Sequence, residues 1–426
     1  MKRILLVPLM LAATAPIFAA SIQTTKPEQT GLSSERLTRI HDTIQRHIDA
    51  HDISGAVTVV ARNGKLAHFE SHGLMDIDSK KPMSKDTLFW IASMSKPITG
   101  TAILMLMEEG KLRLTDPVSR FIPEFRGMKV AVTQEPPPGA RAPAPGSAPL
   151  FYTIPATREI TVQDLLTHVS GLVSGGAPSN AEMAKVGLKS GEKLVDYIPR
   201  LGSTPLDFQP GSRWSYSSLA GFETLGRVVE VVSGQPFDQF LRDRIFTPLG
   251  MKDTTFHPSE EQLSRVTTMY RRADNTLTKS DFHPVWLGST TYFSGAGGLM
   301  SDAEDYLQFG QMLAGGGQLN GKRLLGPKTV EMMSSVFVPD SLPGRAKGRG
   351  FGLSVQVISD HIAANTPISN GSFGWDGAFG THFWVDPKEK IVGIVMIQDN
   401  GPPRELNWDF ENAVMQAVME PIASER

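Results

Sequence analysis

Apolar and polar positions follow distinct rhythms along the chain, and each rhythm predicts a different element. Over residues 37–50, Leu37, Ile40, Ile44 and Ile48 recur at helical spacing among charged residues. This predicts an amphipathic helix with Ser33 or Ser34 as its cap. Two β-rich runs follow, 56–62 and 65–72, joined at Asn63-Gly64. That pair tolerates the positive dihedrals of a tight hairpin turn. Residues 102–107 are apolar without alternation, the pattern of a helix buried on all sides, and Gly110 is placed to end it. Residues 134–149 carry Pro136-Pro137-Pro138, Pro143, Pro145 and Pro149, too many prolines for regular structure, and predict an exposed loop. Strand character returns at 381–385 and 391–398, separated by the turn Asp386-Pro387-Lys388-Glu389. A final helix is predicted over 407–422.

Strand runs therefore lie at both ends of the chain and helical patterns fill the middle. An antiparallel sheet built from both termini, with a helical insertion beside it, satisfies this order. The expected class is α/β (α+β), with residues 21–92 and 291–426 in an α/β lobe and 93–290 in a mainly helical lobe. A chain of 426 residues with 40% hydrophobic and 20% charged positions has ample material for such a core. The formal net charge of -2, with no dense Lys/Arg run, speaks against nucleic acid as a partner. Cysteine is absent, which removes thiol nucleophiles, thiolate metal sites, disulfides and an acylated-cysteine anchor. Residues 1–20 read as a secretory signal: Lys2 and Arg3, then an apolar stretch, then Ala19-Ala20-Ser21. The stretch is short for a membrane span. An exported protein, periplasmic or secreted and without a stable membrane anchor, is expected.

Chemistry concentrates at Ile91-Ala92-Ser93-Met94-Ser95-Lys96-Pro97. If a helix begins near Ser93, Ser93 and Lys96 share one face at i and i+3. Pro97 fixes that register, because proline is tolerated in the first turn and not in a helix interior. Ser93 then sits where free amides favour developing negative charge. A serine hydroxyl needs a neighbouring base, and lysine serves once its environment lowers its pKa. The pattern alone is weak, since Ser190-Gly191-Glu192-Lys193 repeats it in a polar stretch that reads as surface.

The wider segment Leu88-Phe89-Trp90-Ile91-Ala92-Ser93-Met94-Ser95-Lys96-Pro97 resembles the active-site segment of the serine β-lactamase and penicillin-binding-protein superfamily. Within it, the chain looks most like the branch that holds class C β-lactamases and family VIII carboxylesterases. Two further segments agree, in family order: Ile160-Thr161-Val162-Gln163-Asp164-Leu165-Leu166-Thr167-His168-Val169-Ser170-Gly171-Leu172 and Phe293-Ser294-Gly295-Ala296-Gly297-Gly298-Leu299. The resemblance implies the β-lactamase/transpeptidase fold, with Ser93 in the cleft between the lobes. It also implies that Trp214-Ser215-Tyr216-Ser217-Ser218 carries the second catalytic motif, with Tyr216 as base or proton shuttle and Ser218 in place of the family's Asn. The third motif departs further: Phe373-Gly374-Trp375-Asp376-Gly377-Ala378-Phe379-Gly380 resembles the Trp-Gly-Gly form of some family VIII esterases. By family geometry the backbone N–H groups of Ser93 and Ala378 form the oxyanion hole. Ser218, Trp375, Asp376 and Gly377 are the expected substrate contacts. Trp375 stands where lactamases keep a lysine for the substrate carboxylate, which favours neutral acyl groups.

His168 is available for pairing with a serine, but a capping or packing role is the stronger reading. His382, in a strand-like run, is expected to pack. Gly295, Gly297 and Gly298 are expected to make turns. No ligand-spaced histidines occur along the sequence, so neither a metal nor another cofactor is expected. The combined expectation is a carboxylesterase cleaving small neutral esters through a Ser93 acyl-enzyme. A β-lactamase or D-amino-acid peptidase acting on cell-wall material is the alternative, and a catalytically silent binding protein a third reading. The sequence leaves the oligomeric state open.

Overall fold

Asn63 and Gly64 adopt φ of 55° and 73°, the paired left-handed dihedrals that close a two-residue hairpin. They join β1 (Gly55–Arg62) to β2 (Lys65–Asp76), and a short β3 (Lys81–Pro82) extends that edge. On its other side β1 pairs antiparallel with the C-terminal strand β8 (Ile391–Met396), Val57 opposite Met396. The remaining strands are β4 (Arg349–Phe351), β5 (Gln356–Ile358), β6 (Phe373–Asp376) and β7 (His382–Asp386). The order across this antiparallel sheet is β4-β5-β6-β7-β8-β1-β2-β3, so both ends of the chain meet at its centre. The computed structural model describes residues 25–134, 150–273, 276–403 and 405–419. The expected signal segment and all but the first residue of the proline-rich loop lie outside them.

β1, β7 and β8 are buried on both faces, so they read as near-continuous apolar runs. On the outer face Ala56, Val60, Trp384 and Val395 pack beneath α1 (Ser34–Asp49) and α6 (Glu405–Met415) through Leu37, Ile40, Ile44, Phe410 and Val414. Ser33 caps α1, its side chain accepting from the Arg36 amide. On the inner face Val57, Val59, Phe383, Val392 and Ile394 join one core with the helical half. α5 (Ala303–Ala314) lies directly on this face. At Gly310 a Cβ would stand 2.7 Å from Val392 Cγ1, so only glycine permits that approach.

Within the helical half are α2 (Ser95–Glu108), α3 (Val162–Leu166) and α4 (Ala220–Ser233). Every residue from Ser95 to Leu106 is buried, as the unbroken apolar stretch implied, and Gly110 turns the chain at φ 69°. Two hairpins also sit here, Lys129–Thr133 with Phe151–Pro155 and Tyr270–Ala273 with Thr276–Lys279. The last helix departs from expectation: it begins at Glu405 and ends at Met415. Beyond it a few local turns continue and the backbone also bonds to the N-terminal segment, Ser33 N–H to Ala417 O and Met419 N–H to Gly31 O. Among the described residues, no helix is long and apolar enough to cross a membrane.

Candidate active site

Ser93 is held by backbone pairing on its N-terminal side. Phe89 and Trp90 pair with Ser301 and Met300, and Ile91 N–H donates to Leu299 O at 3.0 Å. Ala92 then takes φ 43°, a left-handed conformation that costs a non-glycine residue roughly 1–3 kcal/mol. Ser93 lies in a single 3₁₀ turn, Ala92–Met94, one step ahead of the α-helix expected to begin there. Lys96 and Pro97 occupy the first turn of α2, where the missing proline N–H has no helical acceptor to lose. Ser93 stays half-buried while Lys96 is fully enclosed.

Lys96 Nζ stands 3.1 Å from Ser93 Oγ, 2.7 Å from the Ser218 carbonyl oxygen and 2.8 Å from that of Ala296. Tyr216 Oη lies 2.7 Å from Ser93 Oγ. Carbonyl oxygens only accept. Lys96 Nζ therefore gives N–H groups to Ser218 and Ala296, and its third position faces the Ser93 hydroxyl. The rings of Tyr216 and Phe222 flank the amine at 5.0 and 5.6 Å.

Several contacts to this trio were not legible beforehand. Ser218 acts through its carbonyl, while its residue is exposed. The Ala296 carbonyl comes from the glycine-rich turn, where a Cβ on Gly295 would stand 2.7 Å from Phe222 O. Ser294 Oγ donates to Glu223 Oε1 at 2.5 Å and accepts from Gly297 N–H at 3.2 Å, tying that turn to α4. Glu223 is fully buried, and burial pushes its pKa up to about 7 despite the Ser294 hydrogen bond and the Lys96 charge. The segment 293–299 was visible as a motif, but nothing in its residue types marks a carbonyl as the acceptor.

Strand alternation divides the third motif. Trp375 faces inward, its ring 5.5 Å from Tyr216 and 5.1 Å from Phe351. Trp214 stacks on Tyr216 at 6.3 Å and completes an aromatic wall. Asp376, expected at the substrate, points to the opposite face. There it contacts His382 Nδ1 at 2.5 Å, and it lines a cavity of about 200 Å³ with Trp384 and Glu411. Gly377, also expected at the substrate, is buried against the segment before Ser93; a Cβ there would stand 2.5 Å from Ile91 O. Its N–H donates to Thr381 O at 2.7 Å. The next residue, Ala378, is exposed, and its amide finds no acceptor among the described residues.

His168 is enclosed by Tyr216, Phe222 and Phe351, and its Nδ1 accepts from Ser217 N–H at 3.3 Å. Burial, then the charges of Lys96 and Arg345, push its pKa well down, so it stays neutral behind Tyr216. His382 does more than pack. Burial alone would lower its pKa, yet Asp376 and Glu411 outweigh it and raise it to about 9. Ser190 and Lys193 are both exposed, so the second copy of the pattern is surface.

A family model described as Beta-lactamase matches residues 40–416. Protein Rv1367c of Mycobacterium tuberculosis (strain ATCC 25618 / H37Rv) is 36% identical over 367 residues, covering 83% of this chain and 88% of its own. Esterase EstB of Burkholderia gladioli is 30% identical over 401 residues, covering 85% and 90%. Among solved structures, EstCE1, described as a hydrolase with promiscuous acyltransferase activity, superposes with a TM-score of 0.73. It is 26% identical, with 89% of this chain and 99% of that one covered.

Proposed function

The chain belongs to the β-lactamase family and is a serine hydrolase of its esterase-containing branch, and from that footing we propose an exported carboxylesterase that cleaves small neutral esters through a Ser93 acyl-enzyme. One observation carries the chemistry: Ser93 Oγ lies within hydrogen-bonding reach of both Lys96 Nζ and Tyr216 Oη. As Ser93 Oγ bonds to the ester carbonyl carbon, its proton passes to the Lys96–Tyr216 pair. The carbonyl electron pair moves onto oxygen, which rests on the N–H groups of Ser93 and Ala378. Collapse breaks the ester C–O bond, and the alkoxide leaves with a proton delivered by way of Tyr216. Water then attacks the acyl-serine, releasing the carboxylic acid and restoring the Ser93 hydroxyl.

Neutral substrates are favoured because the wall beside Tyr216 is aromatic. Trp375 offers no ionic contact, and Arg345, 4.4 Å over Trp214, donates through Nε and Nη2 to the carbonyls of Arg349 and Gly350 and to Gln356 Oε1. That Esterase EstB of Burkholderia gladioli is named for esterase activity agrees with this reading. Export rests on the pattern of residues 1–20. The test is a panel of p-nitrophenyl acetate and butyrate beside nitrocefin, with Ser93→Ala as control. Ester turnover that vanishes in Ser93→Ala, with a fluorophosphonate adduct on Ser93, is the expected result. Nitrocefin turnover equal to that of the esters would reverse the substrate assignment, and an absent adduct would mean a binding protein.

A further inference from the structure

Strand β2 carries His68, Glu70 and His72 at alternate positions, so all three side chains leave the same face of the sheet. That face is the outer one, covered by α1, on the side of the sheet away from the core that encloses Ser93 and α2. His41 on α1 lies over the same place, its ring centroid 5.3 Å from that of His72. One ligand atom from each of His41, Glu70 and His72 can be chosen so that all lie within 4.8 Å of one another.

The hydrogen bonds around Thr58 limit where the protons sit. Thr58 Oγ1 lies 2.8 Å from His68 Nε2 and 3.0 Å from His72 Nε2. Its one proton serves only one of these rings, so the other ring must donate to it. Glu70 lies near both rings, its Oε1 3.8 Å from His68 Nδ1 and its Oε2 3.9 Å from His72 Nε2, beyond hydrogen-bond length in each case. With His72 donating to Thr58 through Nε2, its Nδ1 carries a bare lone pair. That nitrogen is buried and finds no hydrogen-bond partner among the described residues. A buried acceptor without a donor is unfavourable unless something electrophilic fills its lone pair.

We propose that His41, Glu70 and His72 form a binding site for a divalent transition metal, zinc above all. Two imidazoles and one carboxylate suit zinc, whereas calcium and magnesium take oxygen ligands almost exclusively. Ligand atoms around a tetrahedral zinc stand ~3.3 Å apart, given bonds of about 2.0–2.1 Å. The required contraction falls to His41 and Glu70, both exposed and able to change rotamer, while His72 stays fixed. Thr58 is the outer partner of His72, holding its Nε2 at 3.0 Å, the place such groups take at histidine–metal sites. Three protein ligands leave a coordination position for water. The ion would join α1 to β2 and leave the Ser93 chemistry untouched. Spacing along the sequence could not reveal it, because His41 comes from a helix and the other two from a strand.

The test is calorimetric titration of the whole EDTA-stripped protein with Zn²⁺, repeated on His41→Ala and Glu70→Gln. Both substituted residues are exposed, and equal melting temperatures in EDTA will confirm intact folds. The expected result is one saturable site per chain, weakened roughly tenfold or more in each variant. Zinc should also raise the melting temperature of the wild type more than that of either variant. Absence of saturable binding up to millimolar Zn²⁺ overturns the proposal. So does a site that neither substitution weakens, since the ion would then be held elsewhere.

Discussion

Replacing Tyr216 with Phe removes one oxygen and leaves the surroundings of the ring in place. The ring keeps its contacts with His168 at 4.6 Å, Trp375 at 5.5 Å and Lys96 Nζ at 5.0 Å. What disappears is the 2.7 Å hydrogen bond to Ser93 Oγ and, on the proposed mechanism, the proton path to the leaving group. A lost neutral hydrogen bond at a half-buried position costs about 1 kcal/mol of stability, a small shift in melting temperature. Positioned acid–base groups contribute roughly 10²–10⁴-fold to rate, or about 2.7–5.5 kcal/mol of the barrier. Tyr216→Phe should therefore lower kcat and kcat/KM together by that factor, with KM nearly unchanged. The substrate still meets the same aromatic wall, and the Lys96 contact at 3.1 Å remains. Stopped-flow hydrolysis of p-nitrophenyl butyrate checks this and separates acylation from deacylation through the burst of nitrophenolate. A variant with kcat/KM within about threefold of wild type would refute the shuttle role, since a group on the reaction path cannot be dispensed with so cheaply.

Glu223→Gln tests the buried acid beside the lysine turn. Because its folded pKa of about 7 lies above the ordinary 4.5, the fold binds its proton more tightly than the unfolded chain does. Wild-type stability therefore falls as pH rises from about 4.5 to about 7, by about 3 kcal/mol from this group. The stability difference between Glu223→Gln and wild type should move in the variant's favour by that order across this window in urea titrations; a flat difference would contradict it. Asp376→Asn moves the same way with pH, in a higher window. His382 is raised to about 9, so its contribution is full below about 6.5 and lost as pH rises through 9. The variant should be destabilised by roughly 1–2 kcal/mol near neutral pH, allowing for solvent screening at the exposed carboxylate, and should match wild type in alkali. An unchanged gap at high pH would show that the charge pair is not the cause. Gly377→Ala places a Cβ 2.1 Å from Thr381 Oγ1 and 2.5 Å from Ile91 O, so the turn before Ala378 must shift. A displacement of about an ångström at the oxyanion amide should cut kcat by about 10²-fold with KM little changed, measured by ester hydrolysis. Wild-type kcat in this variant would remove Ala378 from the mechanism.

Much of the architecture was legible where periodicity is local. The Asn63-Gly64 hairpin, the capped first helix and the wholly buried α2 each depend on neighbours a few residues away. The extent of the last helix was less so, because the backbone after Met415 bonds to residues 31–33 from the opposite end of the chain. Of the site, Ser93 and Lys96 follow from the resemblance of their whole segment, since the spacing alone occurs twice, and Tyr216 from motif order. Asp376 was misplaced because substrate contact was assigned to neighbours in one strand without regard to which face each would take.

By itself, then, the sequence pointed to Ser93 as the candidate nucleophile, with Lys96 and Tyr216 as its candidate partners, and set the order of helices and strands. Tertiary structure alone decided that the carbonyls of Ser218 and Ala296 hold Lys96, that Glu223 grips the turn carrying one of them, and that Asp376 turns away to His382. It alone also brought His41 to Glu70 and His72. The physical reason is common to all of these. Side-chain chemistry and short-range period are written in residue types. A backbone carbonyl is the same at every position, and its use depends on which distant segments pack together and in what register.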